Sequence, residues 1–221
     1  MNGDKDGGDS DRRNTGLNDP RAVDILTTEH WSLLSTRLLG YQEMFGRTQI
    51  FVAILSATVV ALALLAQATH FGRETLLVAL LLMSVALFIG LTTFVRSVAI
   101  NFEDALWVNG TNRLRRAYLQ IVPELEPFLV AGHNSGADAQ SLGYGSQQHL
   151  ANLARSLTTT SSVVATLNSL LAGALASDLG ALFSAGLALD AIMGSAVALM
   201  SAVLHVMYAA RFRRRHAPAT R

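Results

Sequence analysis

The chain has no cysteine, which excludes disulfides, thiolate metal sites and a cysteine nucleophile. Lysine is nearly missing: Lys5 stands alone and the other sixteen of seventeen basic residues are arginine, a bias that points to a GC-rich bacterial genome. Charge of either sign is scarce. Charged residues make up 15% of the chain, where a soluble domain of this length carries about a quarter. The net charge of +1 provides no global field for nucleic acid or an acidic substrate. Catalytic patterns are missing too. The chain contains no HExxH, GxSxG, Walker loop or dinucleotide glycine pattern. His133 and Asp138 stand five apart among glycines and define no metal site. No enzyme activity and no cofactor are expected.

Apolar length is what the chain has in quantity. Half of it is hydrophobic (51%) and the mean hydropathy is +0.35. Residues 1–18 are rich in Gly, Asp and Asn and read as a disordered tail. Asp19-Pro20 reads as an N-cap with proline at the first helical position, opening a cytosolic helix over 19–49. Ile50–Ala68 and Leu76–Val95 are uncharged runs, each long enough to cross a hydrocarbon core of roughly 30 Å at about 1.5 Å per residue. They make a first transmembrane hairpin over 50–98, with "THFGRET" as its short polar turn. A polar stretch over 99–157 follows, helical at first, with Pro123 as a break and "AGHNSGADAQSLGYGS" as a loop. Within that loop Ser141–Gly145 shares letters with the potassium-channel filter, but no pore helix precedes it, so the match is chance. "QQHLANLARSLTTT" resumes a short helix.

The last apolar region, 158–210, is harder to divide. Val163–Ala176 is too short to span without the hydroxyl-bearing flank Thr158–Ser162, whose side chains can bond back to their own helix. Leu187–Met207 is long enough, with Asp190 and His205 inside it. "SDLGALFSAG", carrying Asp178, reads as the turn between them. Arginine placement decides the number of spans. Arginines flank the N-terminal helix, the central segment and the basic tail 211–221, and only Arg73 falls in an outer loop. The positive-inside rule then puts both ends and the middle in the cytosol, which requires an even number of crossings on each side of the middle. The expected fold is all-α: a polytopic membrane protein with four transmembrane helices as two hairpins, carrying cytosolic helical extensions. The first apolar run begins only at Ile50, so the chain is expected to insert through its internal spans into a bacterial inner membrane.

Candidate sites follow from polar residues placed where lipid is expected. Asn168 falls nearest the midplane and is expected to hydrogen-bond to a neighbouring helix. Asp190 lies about one turn inside the fourth span, where the helix dipole favours negative charge; the competing role is proton or cation coupling. His205 and Arg96 are expected to snorkel at cytosolic ends. Small residues recur every four positions in the third span (Ala165, Ser169, Gly173, Ser177) and in the fourth (Gly194, Ala198, Ala202), predicting a packing seam. The first span carries Ala53, Ala57 and Ala61 at the same spacing, while the leucine-rich second is expected to face lipid. On the cytosolic helices, Trp31, Leu34, Leu38 and Phe45 are expected to pack against Leu114, Tyr118, Ile121 and Leu125. Arg211, Arg213, Arg214 and Arg215 suit anionic lipid head groups. The arginines of "NRLRRAYLQ" come with no nucleic-acid-binding signature.

The phrases "LTTEHWSLLSTRLLGYQEMFGR", "GLTTFVR", "NFEDALWVNGTNRLRRAYL" and "PELEPF" resemble a group of bacterial multi-pass membrane proteins with no assigned activity. In architecture, a hairpin flanked by cytosolic helices is similar to the SLATT-type two-span effector domains, proposed to form pores in bacterial defence. The resemblance implies membrane residence and carries over no catalytic residue. The expected role is a membrane scaffold, sensor or effector whose partners are the bilayer and, as an open possibility, further copies of itself. The alternative is a small transporter or channel subunit using Asp190 and Asn168.

Overall fold

A computed structural model describes residues 16–70, 72–129, 159–183 and 186–216. The described residues are helical throughout, with no strand. Helix α1 runs Ala22–Thr69 and α2 runs Arg73–Ile121. A 3₁₀ turn at Pro123–Phe128 follows, then α3 at Thr160–Leu182 and α4 at Leu187–His216. All four α-helices are long and apolar enough to cross a membrane. The helix foreseen at "QQHLANLARSLTTT" and the "SLGYG" stretch lie outside the described residues, apart from the end of the former at Thr159–Thr160.

The helical extensions expected on the first hairpin are continuous with its apolar runs: α1 is one helix of 48 residues, and α2 is one of 49. The physical reason is the lack of a breaker: no proline falls between Ala22 and Ile121, and Gly46 sits inside α1 with no neighbour that a side chain would meet. A lone glycine costs a helix only about 1 kcal/mol. Pro123 does end α2, one residue past Val122, whose N–H still bonds the Tyr118 carbonyl at 2.8 Å. At the other end of the chain, Pro20 falls in a turn and not in the helix. Asp19 caps this start through its carbonyl, which accepts from the Ala22 N–H at 2.8 Å, and its Oδ1 accepts from the Arg21 N–H at 2.8 Å.

The connection between α1 and α2 is short. His70 takes the left-handed conformation (φ 51°), and the Thr69 and Thr75 hydroxyls bond one another across the turn. Between α3 and α4 the turn comes later than expected. Asp178 lies within α3, and Gly186 (φ 96°) makes the reversal, as a residue without Cβ can. Thr159, from the hydroxyl-rich flank, does not bond back. It caps α3, its Oγ1 accepting from the Ser162 N–H at 3.3 Å.

The chain divides into two compact units. One comprises residues up to Tyr41 together with 103–148; the other comprises 42–102 and 149–221. In the first, α1 and α2 pair antiparallel: Leu33 lies 3.3 Å from where a Cβ on Gly110 would stand, and the rings of His30 and Tyr118 stack at 5.9 Å. Arg37 donates to Asp104 at 2.7 Å, and the Tyr41 hydroxyl donates to the same carboxylate at 3.0 Å. That bond, with burial as the larger cause, raises the Tyr41 phenol above its ordinary value. In the second unit, Phe51, Phe94, Val98 and Val164 form one apolar cluster. Ala79, Met83, Ala86 and Leu171 form another.

Candidate functional site

The candidate site is the set of polar groups that the second unit buries. Asn168 is central. It sits in the first half of α3 with no exposed surface, and neither its Oδ1 nor its Nδ2 has a hydrogen-bond partner among the described residues. The cross-helix bond expected of it is not made. What α2 and α1 present to the amide is apolar: a Cβ on Gly90 would collide with Asn168 Oδ1, and would stand 2.7 Å from the Phe51 ring. The missing side chain at Gly90 makes the niche that the amide fills.

His205 is buried, not extended to an interface. Its Nδ1 lies 2.7 Å from the Ser201 carbonyl, which can only accept, so Nδ1 donates there. Nε2 has no hydrogen-bond partner among the described residues. The ring meets Phe94 edge-on at 4.5 Å. Arg96 is bound to a carboxylate of α1. It donates to both oxygens of Glu43, at 2.9 and 2.8 Å, and Arg47 donates to the same carboxylate at 2.9 Å. Those guanidinium bonds, Arg96 first, hold Glu43 down at a pKa of about 2.

Asp190 occupies the first turn of α4, its N–H bonded to the Gly186 carbonyl at 3.0 Å. Its own carbonyl accepts from the Ser177 hydroxyl at 3.0 Å. The carboxylate oxygen Oδ1 is buried against Gly180, where a Cβ would strike it, and has no partner. Asn168, Asp190 and His205 thus share one property: each buries a polar atom with no hydrogen-bond partner among the described residues, which is costly and uncommon. Comparison with family models, curated sequences and solved structures returns no match. The site is therefore read from its geometry.

Small residues set how α3 meets α4. A Cβ on Gly173 would stand 2.6 Å from the Gly194 carbonyl oxygen and 2.8 Å from the Ala198 Cβ. A Cβ on Gly194 would collide with the Ser177 hydroxyl and lie 2.8 Å from the Gly173 oxygen. Gly173, Ser177, Gly194 and Ala198 are therefore at one backbone crossing. Ser169 bonds back to the Ala165 carbonyl at 2.7 Å, Ala165 packs on the first apolar cluster, and Ala202 is half-buried.

The small residues of the first two spans differ in exposure. Ala53, Ala57 and Ala61 are exposed. The α2 span is not the one turned most toward the outside: 28% of its apolar window is buried, against 6% for α4. Ala79, Ala86 and Gly90, small residues of this leucine-rich run, are all buried.

The two apolar stripes at Trp31 and Leu114 are also placed differently. Trp31, Leu34, Leu38 and Phe45 are exposed. The face of α1 that meets α2 in the first unit is His30, Leu33, Arg37 and Tyr41, chosen by an ion pair and a ring stack that apolar spacing does not register. Leu114, Tyr118 and Ile121 are half-buried, and Leu125, in the 3₁₀ turn, is exposed. Sequence reasoning missed Gly90 as the residue that admits Asn168, and the Arg37–Asp104 and Glu43–Arg96 pairs. Their signal was available only as isolated charges and one glycine. Arg211, Arg213, Arg214 and Arg215 are exposed at the end of α4. Among the described residues no three metal-ligating side chains gather.

Proposed function

We propose that the chain is a bacterial inner-membrane protein with both termini cytosolic, crossing as two hairpins, and that it works without catalysis as a scaffold, sensor or effector. The observation that carries this reading is the continuity of α1 and α2. Each devotes about twenty residues to an apolar span and continues as a polar helix whose partner is held by Arg37, Tyr41 and Asp104. A helix of that kind ties whatever binds its polar part to the part in lipid. The exposed arginines at the end of α4 suit anionic head groups on the cytosolic leaflet.

Topology is tested with single cysteines in the cysteine-free chain. Cysteines replacing Asn2, Ser141 and Thr220 should be shielded from an impermeant thiol reagent in intact cells, and those replacing His70 and Ser184 should label. Labelling at Thr220 but not Ser141 would give an odd number of spans and end the proposal.

The second reading, a small transporter or channel subunit, is favoured by one observation: Asn168 and Asp190 bury unpartnered polar atoms in apolar helices. Intramembrane groups of this kind mark ion and substrate paths. Proteoliposome flux in wild type that disappears in Asp190→Asn would establish it; no flux in either leaves the scaffold reading standing.

A further inference from the structure

We propose that Arg211, Arg214 and Arg215 at the end of α4 form a binding site for one lipid head group that carries two phosphates, as a diphosphatidyl lipid does. The inference rests on the membrane reading above and narrows its head-group partner to one chemical class. Arg37 bonds Asp104, Arg47 and Arg96 bond Glu43, and Arg115 bonds Asn112. By contrast, Arg211, Arg213, Arg214 and Arg215 are exposed and have no hydrogen-bond or ion-pair partner among the described residues. The second unit offers them none. Of its acids, Glu43 already receives two guanidinium groups, and Glu74, Asp178 and Asp190 belong to the opposite ends of their helices.

What makes this charge a site is the fixed rotation of α4. The Phe212 ring meets Phe102 at 5.9 Å, Tyr208 meets Phe94 at 5.9 Å, and His205 meets Phe94 at 4.5 Å. The end of α4 therefore lies along α2 with Phe212 turned toward it. At about 100° per residue, Arg211, Arg214 and Arg215 then share a sector of about 100° on one flank of α4, and Arg213 falls on the other. The three stand within roughly 6 Å of helix rise, just beyond the apolar run that ends at Met207. On the membrane reading that is the level of the inner-leaflet phosphates, and Tyr208, exposed one turn before Arg211, is an interfacial anchor.

Charge and hydrogen-bonding geometry select the ligand. A guanidinium stays protonated, so the flank carries three positive charges and no negative one. A single phosphodiester brings one negative charge and takes one pair of parallel N–H bonds. Two phosphates on one short linker bring two charges, and each takes such a pair from its own arginine, with the third arginine shared. A zwitterionic head group would carry an ammonium into the same cluster. Basic clusters on the cytosolic side of spans hold doubly charged head groups for this reason.

The test uses the full-length chain purified in detergent, with native mass spectrometry to count bound lipid. Diphosphatidylglycerol is compared with phosphatidylglycerol at equal phosphate. Wild type should hold the diphosphatidyl lipid about ten-fold more tightly. Arg211→Gln, Arg214→Gln and Arg215→Gln together should remove that preference, whereas Arg213→Gln should keep it, with circular dichroism showing unchanged helix content in both. Lysine at the same three positions keeps the charge but not the fork, and should reduce the preference to about two-fold. The lysine variant decides the matter if the glutamine variant does not fold. Equal affinity of wild type for the two lipids means diffuse attraction and overturns the proposal. So does a lysine variant with the full preference, or an Arg213→Gln protein that loses it. Displacement of the lipid by an equal concentration of pyrophosphate means a site for soluble diphosphates, and also overturns it. Carbonate extraction of membranes separates the two readings: release into the soluble fraction defeats the membrane reading, whereas a retained chain without lipid preference defeats only this site.

Discussion

Two helix contacts use opposite chemistry. Where α1 meets α2 at Arg37 and Asp104, long polar side chains reach across, and the strongest contacts are a charged pair with a tyrosine hydroxyl on the same carboxylate. Where α3 crosses α4 at Gly173 and Gly194, the side chains withdraw and the backbones meet. On the membrane reading proposed above, the difference follows from the surroundings. In water, apolar surface and ion pairs both help to order two helices, and a carboxylate keeps some solvent. Between apolar helices, lipid is as good a partner as leucine, so association depends on close approach. Two individual polar groups differ in the same way. Asp104 has two donors on it, while Asn168 has none.

The sharpest way to break the comparison is Gly173→Leu. A side chain there meets the Gly194 carbonyl and Ala198, neither of which can swing aside. The expected loss is about 3 kcal/mol, read as a lower melting temperature in detergent or a loss of membrane-integrated protein. Gly46→Ala serves as control, since no atom lies within 4 Å of its added carbon. A Gly173→Leu protein as stable as that control would remove the close-approach account of this unit.

Next in size is Asn168→Leu. Replacing an unsatisfied buried amide with an apolar group of similar volume should leave stability unchanged or raise it by about 1 kcal/mol. Thermal unfolding in detergent checks this, and a clear loss would show that the amide has a bonding role after all. Asp104→Asn acts in the other unit, where the partly exposed pair contributes about 1 kcal/mol. The expected loss should shrink at high salt, as screening weakens the wild-type pair. A salt-independent loss would mean that the Tyr41 bond, and not charge, holds the helices.

The smallest effect concerns pH. Glu43 has its carboxyl lowered from 4.5 to about 2 by Arg96 and Arg47. A carboxyl depressed on folding contributes stability that is complete above the unfolded value and disappears as pH falls through the folded one. Wild type should therefore lose stability relative to Glu43→Gln as pH falls from 4.5 to about 2. Parallel pH profiles for the two proteins would show that the Arg96 contact is not held in solution.

Some of this was legible in advance from particular residues. The two uncharged runs starting at Ile50 and Leu76 required long helices, and both lie in α1 and α2. The four-residue spacing of Gly173, Ser177, Gly194 and Ala198 named the atoms that meet at the α3–α4 crossing. The stripe at Trp31, Leu34 and Leu38 was correct as a stripe and misjudged as an inward face. Apolar periodicity states which residues share a side of a helix, but not which side meets the neighbour. The turn read on Ser177–Gly186 from Asp178 and two glycines falls at the end of that stretch, at Gly186 with its positive φ, while Asp178 stays within α3.

The sequence by itself determined that this protein is helical, that four helices are long and apolar enough to cross a membrane, and that no cysteine chemistry is available. These depend on length, composition and local spacing, which act within one helix. Only the tertiary structure decided that Gly90 opens a niche for Asn168, that Arg96 pairs with Glu43, and that His205 turns inward to Phe94. Each joins residues dozens of positions apart, and no local rule sets the rotation of one helix against another. That rotation comes from the sum of many close contacts, including two ion pairs and a few glycines, and it exists only once the helices are packed.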